Sequence, residues 1–150
     1  MAQQSEQIGH AEVVGGEQTA LHSHAGGGAS RGFGICLFER DVSVNMAGIG
    51  QSMFVVPAAM NGMNLIAAVV AVGDNKGIGG TTNVRLTKRR NGSNSFMFTV
   101  NISLGDVWWA DNCEINPLES EILKGDTIRA DVVGVHTTPP KGLTVSMTFI

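Results

Sequence analysis

From Gly32 onward the chain is written in alternation. Leu143, Val145, Met147 and Phe149 occupy every second position near the end, with Thr144, Ser146 and Thr148 between them. That period of two is the signature of a half-buried strand, and because the sequence ends within it, it is expected to be a central or well-paired one. Residues 127–135 repeat it, with Ile128, Ala130 and Val132 against Arg129 and Asp131; residues 83–88 set Val84 and Leu86 against Arg85 and Thr87. Asn91-Gly92 follows as the strongest hairpin signal, since a type I′ turn needs positive φ at both central residues. Its return strand is expected over 95–102, with Phe96, Phe98 and Val100 on one face. Residues 33–38 and 52–56 read as two earlier strands, the second stopped by Pro57. Residues 64–72 are almost continuously apolar, which predicts a strand buried on both faces. Trp108 and Trp109 are adjacent in a short aromatic run, so a strand there would send one inward and one outward.

Turn chemistry separates these runs. Residues 73–80 form a glycine-rich connection, Lys124-Gly125-Asp126 a tight turn, and Pro139-Pro140 a loop that cannot continue a ladder. Helical periodicity is confined to one turn over 119–123. The pattern predicts an all-β fold: a jelly-roll-like or Greek-key antiparallel β-sandwich over residues 31–150, with an open β-barrel as the structural alternative.

Residues 1–30 differ in kind. They hold Glu6, Glu12 and Glu17, three of the four histidines and two glycine patches, but no lysine or arginine. Ile8, Val13, Val14 and Leu21 are too few to offset the entropy of ordering the segment alone. The segment is therefore expected to be an extended N-terminal arm that orders against another copy or a larger assembly. Composition agrees: only 15% of the 150 residues are charged and 20 are glycine, as suits a protein that hides surface against neighbours.

Charge and motifs narrow the function. A net charge of -3 argues against general nucleic-acid binding. The N-terminus has no signal-peptide pattern, and the longest apolar run is too short to span a membrane. Cys36 and Cys113 are far apart and read as two buried thiols in a reducing compartment. The glycine-rich stretches lack the spacing of a phosphate loop, and no nucleophile elbow occurs. Asp106, Asp111, Glu114, Glu119, Glu121 and Asp126 cluster late but beside turns, not as a catalytic pair, and His136 reads as a loop histidine. No enzyme is expected. His22 and His24 would point the same way in an extended arm; three chains around an axis would then offer six nitrogens to a transition metal. The competing reading is a polar linker, with no cofactor. Lys88-Arg89-Arg90 either meets an acidic neighbour or tips a solvated hairpin. An outward tryptophan, with Asp111 or Asn112 nearby, suits an interface or a sugar.

Two stretches resemble a known group. His22–Gly28, before a β-domain, looks like the stalk-to-head junctions of tailed-bacteriophage fibre and head-decoration proteins. Residues 123–132 (LKGDTIRADV) and 138–145 (TPPKGLTV) are similar to the closing strands of small jelly-roll domains in those proteins. The resemblance implies a homotrimeric virion structural protein assembled in the host cytoplasm. One placement is a capsid decoration, or cement, protein whose arms cross neighbours on the major capsid protein. The other is a short fibre or receptor-binding module that reads a host glycan. It also implies a metal on the three-fold axis at His22 and His24. The expected contact set is Leu21, Arg31, Lys88, Arg89, Arg90, Trp108 and Trp109. Nucleic acid and membrane are not among the expected partners.

Overall fold

The computed structural model describes residues 29–44 and 53–150. These residues build an all-β fold of antiparallel ladders. The organising element is the Asn91-Gly92 turn, with φ of 50° and 82°, which joins β4 (Thr82–Arg90) to β5 (Ser93–Phe96). Around that tip the chain behaves as one long folded-over hairpin. After β4 with β5, β3 (Leu65–Ala71) pairs with β8 (Trp109–Ala110). Next β2 (Met53–Val55) pairs with β10 (Thr127–Gly134), and β1 (Arg31–Ser43) with β11 (Lys141–Phe149). Each pair joins an early strand to a late one, nested about the tip. Rolling the hairpin adds β11 with β3 and β10 with β4.

The result is two separate sheets rather than one closed barrel. The first runs β1-β11-β3-β8. The second runs β2-β10-β4-β5, with β7 (Ile102–Leu104) also on β4. A third ladder holds β6 (Phe98–Val100) and β9 (Glu114–Ile115). Among the described residues no helix is long and apolar enough to cross a membrane.

The inward rows follow from the alternation. Val84 and Leu86, Ile128, Ala130 and Val132, and Leu143 through Phe149 are buried in one common core. Phe33 of β1 stacks on Phe54 of β2 with ring centroids 4.8 Å apart, and Phe54 meets Phe149 edge-on at 6.4 Å, so the two sheets are joined along this edge. As expected, β11 lies inside its sheet, paired on both sides.

Four expectations need correction. The third strand is not buried on both faces: Ala67 is exposed on the outward face of its sheet, and Ile66 is exposed at a register shift, since Thr148 pairs with Ala67 and Phe149 with Leu65. The return strand after Gly92 does not keep one register. A bend at Met97 buries both Met97 and Phe98 and leaves Phe96 and Val100 exposed. The Met97 N–H donates to Leu86 O at 3.0 Å while its carbonyl accepts from Asn116 N–H at 2.9 Å; these bonds hold the step between ladders. Residues 119–123 form no helical turn; Glu121 bridges Asn64 instead. Neither cysteine is fully buried. Cys36 is exposed and Cys113 half-buried, and burial pushes the Cys113 thiol up.

Candidate functional site

The register places two outer faces of unlike chemistry on the body. On the first sheet, the outward rows read across the strands as Gly32–Thr148–Ala67, Gly34–Ser146–Val69 and Cys36–Thr144–Ala71–Trp109. None of these ten side chains is charged, and Trp109 alone is large; the charged Glu39, Arg40 and Asp41 of β1 stand exposed beyond these rows, where the strand shifts register between Phe38 and Ser43. A surface of ten positions is expected to hold two or three charges. The two glycines are not required by the fold. Neither has positive φ, and a Cβ at either would meet nothing nearer than a carbonyl oxygen at 3.8 Å. Glycine within a strand weakens it and marks close approach of another backbone.

On the second sheet the outward rows are Val55–Thr127–Arg89–Asn94, then Met53–Arg129–Thr87–Phe96, then Asp131–Arg85. Asp131 is buried at their centre. Arg129 Nε donates to Asp131 Oδ1 at 2.8 Å, Thr87 Oγ1 donates to Oδ2 at 2.7 Å, and Arg85 reaches Oδ2 at 3.4 Å. The Arg85 guanidinium also lies 4.2 Å over the Phe96 ring.

The basic run at the hairpin divides by parity. Lys88 points inward and is 2% exposed; its ammonium donates to the carbonyls of Glu119 at 3.0 Å and Glu121 at 2.8 Å and sits 3.0 Å from Glu119 Oε2. Lys88 therefore cannot meet a neighbour; it pins residues 119–121 to β4. Arg90 is taken by Asp126, with Nη2 donating to Oδ2 at 2.7 Å. Of the three, only Arg89 stands outward with no ion pair among the described residues.

This polar end of the core sets an acid response. Burial pushes Asp126 up, but Arg90, the Leu123 N–H and the charge of Lys88 together hold it below its ordinary 3.8. Ser95 and Lys88 hold Glu119 below its ordinary 4.5. Both folded values lie below the unfolded ones, so their contribution is complete above the unfolded values and is lost as pH falls through the folded ones. Urea unfolding should therefore show stability falling below about pH 4.5. Asp126→Asn should cost about 2 kcal/mol at pH 6 and flatten that fall. An unchanged pH slope in the variant would exclude Asp126 as a source.

The other sequence-selected residues are also placed. Arg31 opens β1 opposite Phe149 and is exposed. Trp108 and Trp109 are both outward, 49% and 57% exposed, because the chain bends before β8 and β8 is an edge strand. Lys76 Nζ lies 5.9 Å from the Trp108 ring. Asn112 does not stand free beside them: its side chain accepts from Ser103 N–H at 2.8 Å and donates to Ser103 O at 2.9 Å. Leu21, His22 and His24 lie outside the described residues, as does most of the expected arm.

Sequence reasoning missed the environment of His136. Its Nδ1 is hydrogen-bonded to Thr82 Oγ1 at 2.8 Å, and its Nε2 lies 3.3 Å from Asp106 Oδ1, out of line for a hydrogen bond. The order hydroxyl, imidazole, carboxylate has the form of a nucleophile triad. Thr82 is 0% exposed, however, so its hydroxyl cannot touch a substrate, and Gly77 closes over the imidazole ring. The arrangement ties the 73–80 connection to the end of β10. Among the described residues no three His, Cys, Asp or Glu side chains gather as a metal site.

No family model, curated protein or solved structure matches this chain. The outer faces, with Trp109 and Arg89 upon them, are what the chain itself offers for recognition.

Proposed function

We propose that this chain is a structural protein of a bacteriophage virion, a homotrimeric capsid decoration protein. Its jelly-roll bodies meet through an uncharged sheet face, and its N-terminal arms, residues 1–30, exchange between neighbours. The observation that carries the reading is the outer face of the first sheet, ten exposed or half-exposed positions without a charge.

Strand order supports the jelly-roll part. Early and late strands pair in a nest, and β1 to β4 alternate between the two large sheets, as do β10 and β11, the winding that two Greek keys produce. A three-fold assembly joins two different patches head to tail, so the uncharged face need not be complementary to itself. Size supports the arm. At strand spacings near 4.8 Å the uncharged face covers roughly 300 Å², against about 800 Å² per partner in a stable interface. Exchanged arms would supply the remainder and act at high effective concentration once the bodies touch. The function is mechanical: linked subunits on the major capsid protein must break several contacts together before the shell opens. A second reading, a fibre module that recognises host glycans, draws on the exposure of Trp108 and Trp109; the engagement of Asn112 with Ser103 leaves Asp111 as the polar partner for a sugar.

The test is molar mass in solution by light scattering, for the wild type and Ser146→Arg. Ser146 is exposed at the middle of the face, so a charge there should leave the circular dichroism unchanged. The expected result is three chains for the wild type and one for the variant. A wild type that runs as one chain, or a variant that keeps three, overturns the reading.

A further inference from the structure

The chain is electrically divided. Residues 1–28 contain Glu6, Glu12 and Glu17 and no lysine, arginine or aspartate, so the other ten acids balance the ten bases of the remaining chain. The net charge of -3 thus belongs to residues 1–28. The outer face of the second sheet has the opposite sign. Arg85, Arg89 and Arg129 surround the single carboxylate Asp131, leaving two positive charges in excess. Arg89 and Arg129, with Met53, Thr87 and Thr127, line a cavity of about 80 Å³. On the scale where one water needs about 10–15 Å³, that is ample room for a carboxylate group. Arg85 Nε is buried without a hydrogen-bond partner. Exposed Met53, Val55 and Phe96 flank the arginines.

The attachment point favours this face. Residues 1–28 lead into β1, and Phe33 on β1 stacks against Phe54 of β2, whose neighbours Met53 and Val55 belong to the outward rows. Twenty-eight residues span up to roughly 95 Å when extended, enough to cross this face or a neighbour's.

We propose that the outer face of the β2-β10-β4-β5 sheet is the dock for the acidic residues 1–28. A glutamate carboxylate enters the Arg89–Arg129 cavity, and Ile8, Val13, Val14 and Leu21 cover Met53, Val55 and Phe96. Whether the segment comes from the same chain or a neighbour rests on the exchanged-arm reading above, and the experiment separates the two.

The full-length chain carries the photo-cross-linker p-benzoylphenylalanine in place of Phe96. Light and ¹⁵N-labelled copies are refolded together, irradiated, digested and sequenced by mass spectrometry. The expected result is capture of peptides from residues 1–28. Capture should fall at least fivefold in E6Q/E12Q/E17Q, in Arg89→Glu, and in 1 M salt, where screening acts within about 3 Å. Capture of other peptides, no capture, or capture indifferent to all three changes overturns the dock. Capture of residues 1–28 only within one isotope upholds the dock and overturns arm exchange. Capture between isotopes upholds both. A trimer by light scattering without capture of residues 1–28 overturns the dock alone.

Discussion

Gly34→Val is expected to stabilise the isolated chain and destroy its self-association. The two effects have opposite sign because the glycine serves nothing inside the fold. Its φ is not positive, its added Cβ would meet only Val145 O at 3.8 Å, and its cross-strand partner is the small Ser146. A β-branched residue in such a row gains about 1 kcal/mol over glycine, or roughly 3 °C in melting temperature. The same isopropyl group stands on the uncharged face between Gly32 and Cys36, where it would hold a second backbone away. A neighbour that packs there should lose affinity by at least 100-fold, the result of about 3 kcal/mol of clash and lost contact. Thermal melting of dilute protein reads the first effect and light scattering across a concentration series the second. A variant that melts lower would mean that the glycine serves β1 itself. A variant that melts higher yet assembles as before would mean that the face is free, and the trimer reading would lose its main support.

That face was hidden in the sequence although every residue on it was visible. Gly32, Thr148 and Ala67 become neighbours only through register between strands far apart in the chain, and no local pattern contains that register. What local pattern does contain is the inward row. Leu143 through Phe149, Ile128 through Val132, and Val84 with Leu86 were legible because burial on one side imposes a period of two. Asn91-Gly92 was legible because few sequences adopt two positive φ angles in succession. Lys88 was misread because its charge suggests a solvated tip, whereas two carbonyls and a carboxylate from residues 119–121 receive it. Its place in the even-numbered row with Val84 and Leu86 was the available signal. The tryptophans were misassigned for a different reason: alternation holds only inside a regular strand, and Trp108 precedes one. His136 gave no sign of its burial, because the hydroxyl that pairs with it lies 54 residues away.

The largest loss of stability is expected at Gly142, where three backbone segments converge. Gly142 has φ +77°, and an added Cβ would lie 2.8 Å from Arg40 O, 2.9 Å from Gly73 N and 3.0 Å from Arg40 Cα. These are backbone atoms, so no side-chain rotation relieves the overlap. The neighbouring bonds fix them further: Gly73 N–H and Asp74 N–H both donate to Lys141 O, at 2.8 and 3.0 Å, and Arg40 pairs with Asp74. Gly142→Ala should therefore cost about 1–2 kcal/mol for the left-handed backbone and about 2 kcal/mol more for overpacking. Gly125→Ala supplies the control, since Gly125 has φ +89° but open space around its Cβ position, so only the backbone cost applies. Urea unfolding of the two variants measures the difference, and equal losses would show that the three segments yield. The consequence reaches the proposed contact surface. The convergence meets β1 at Arg40, within the second of its two register shifts against β11, which lie between Cys36 and Phe38 and between Phe38 and Ser43. Slackening it should loosen the strand that carries Gly32, Gly34 and Cys36. Gly142→Ala should then weaken self-association while Gly125→Ala does not, since Gly142 borders the face, sharing a cavity with Cys36, Ala71 and Thr144, and Gly125 lies beside Arg90 and Asp126.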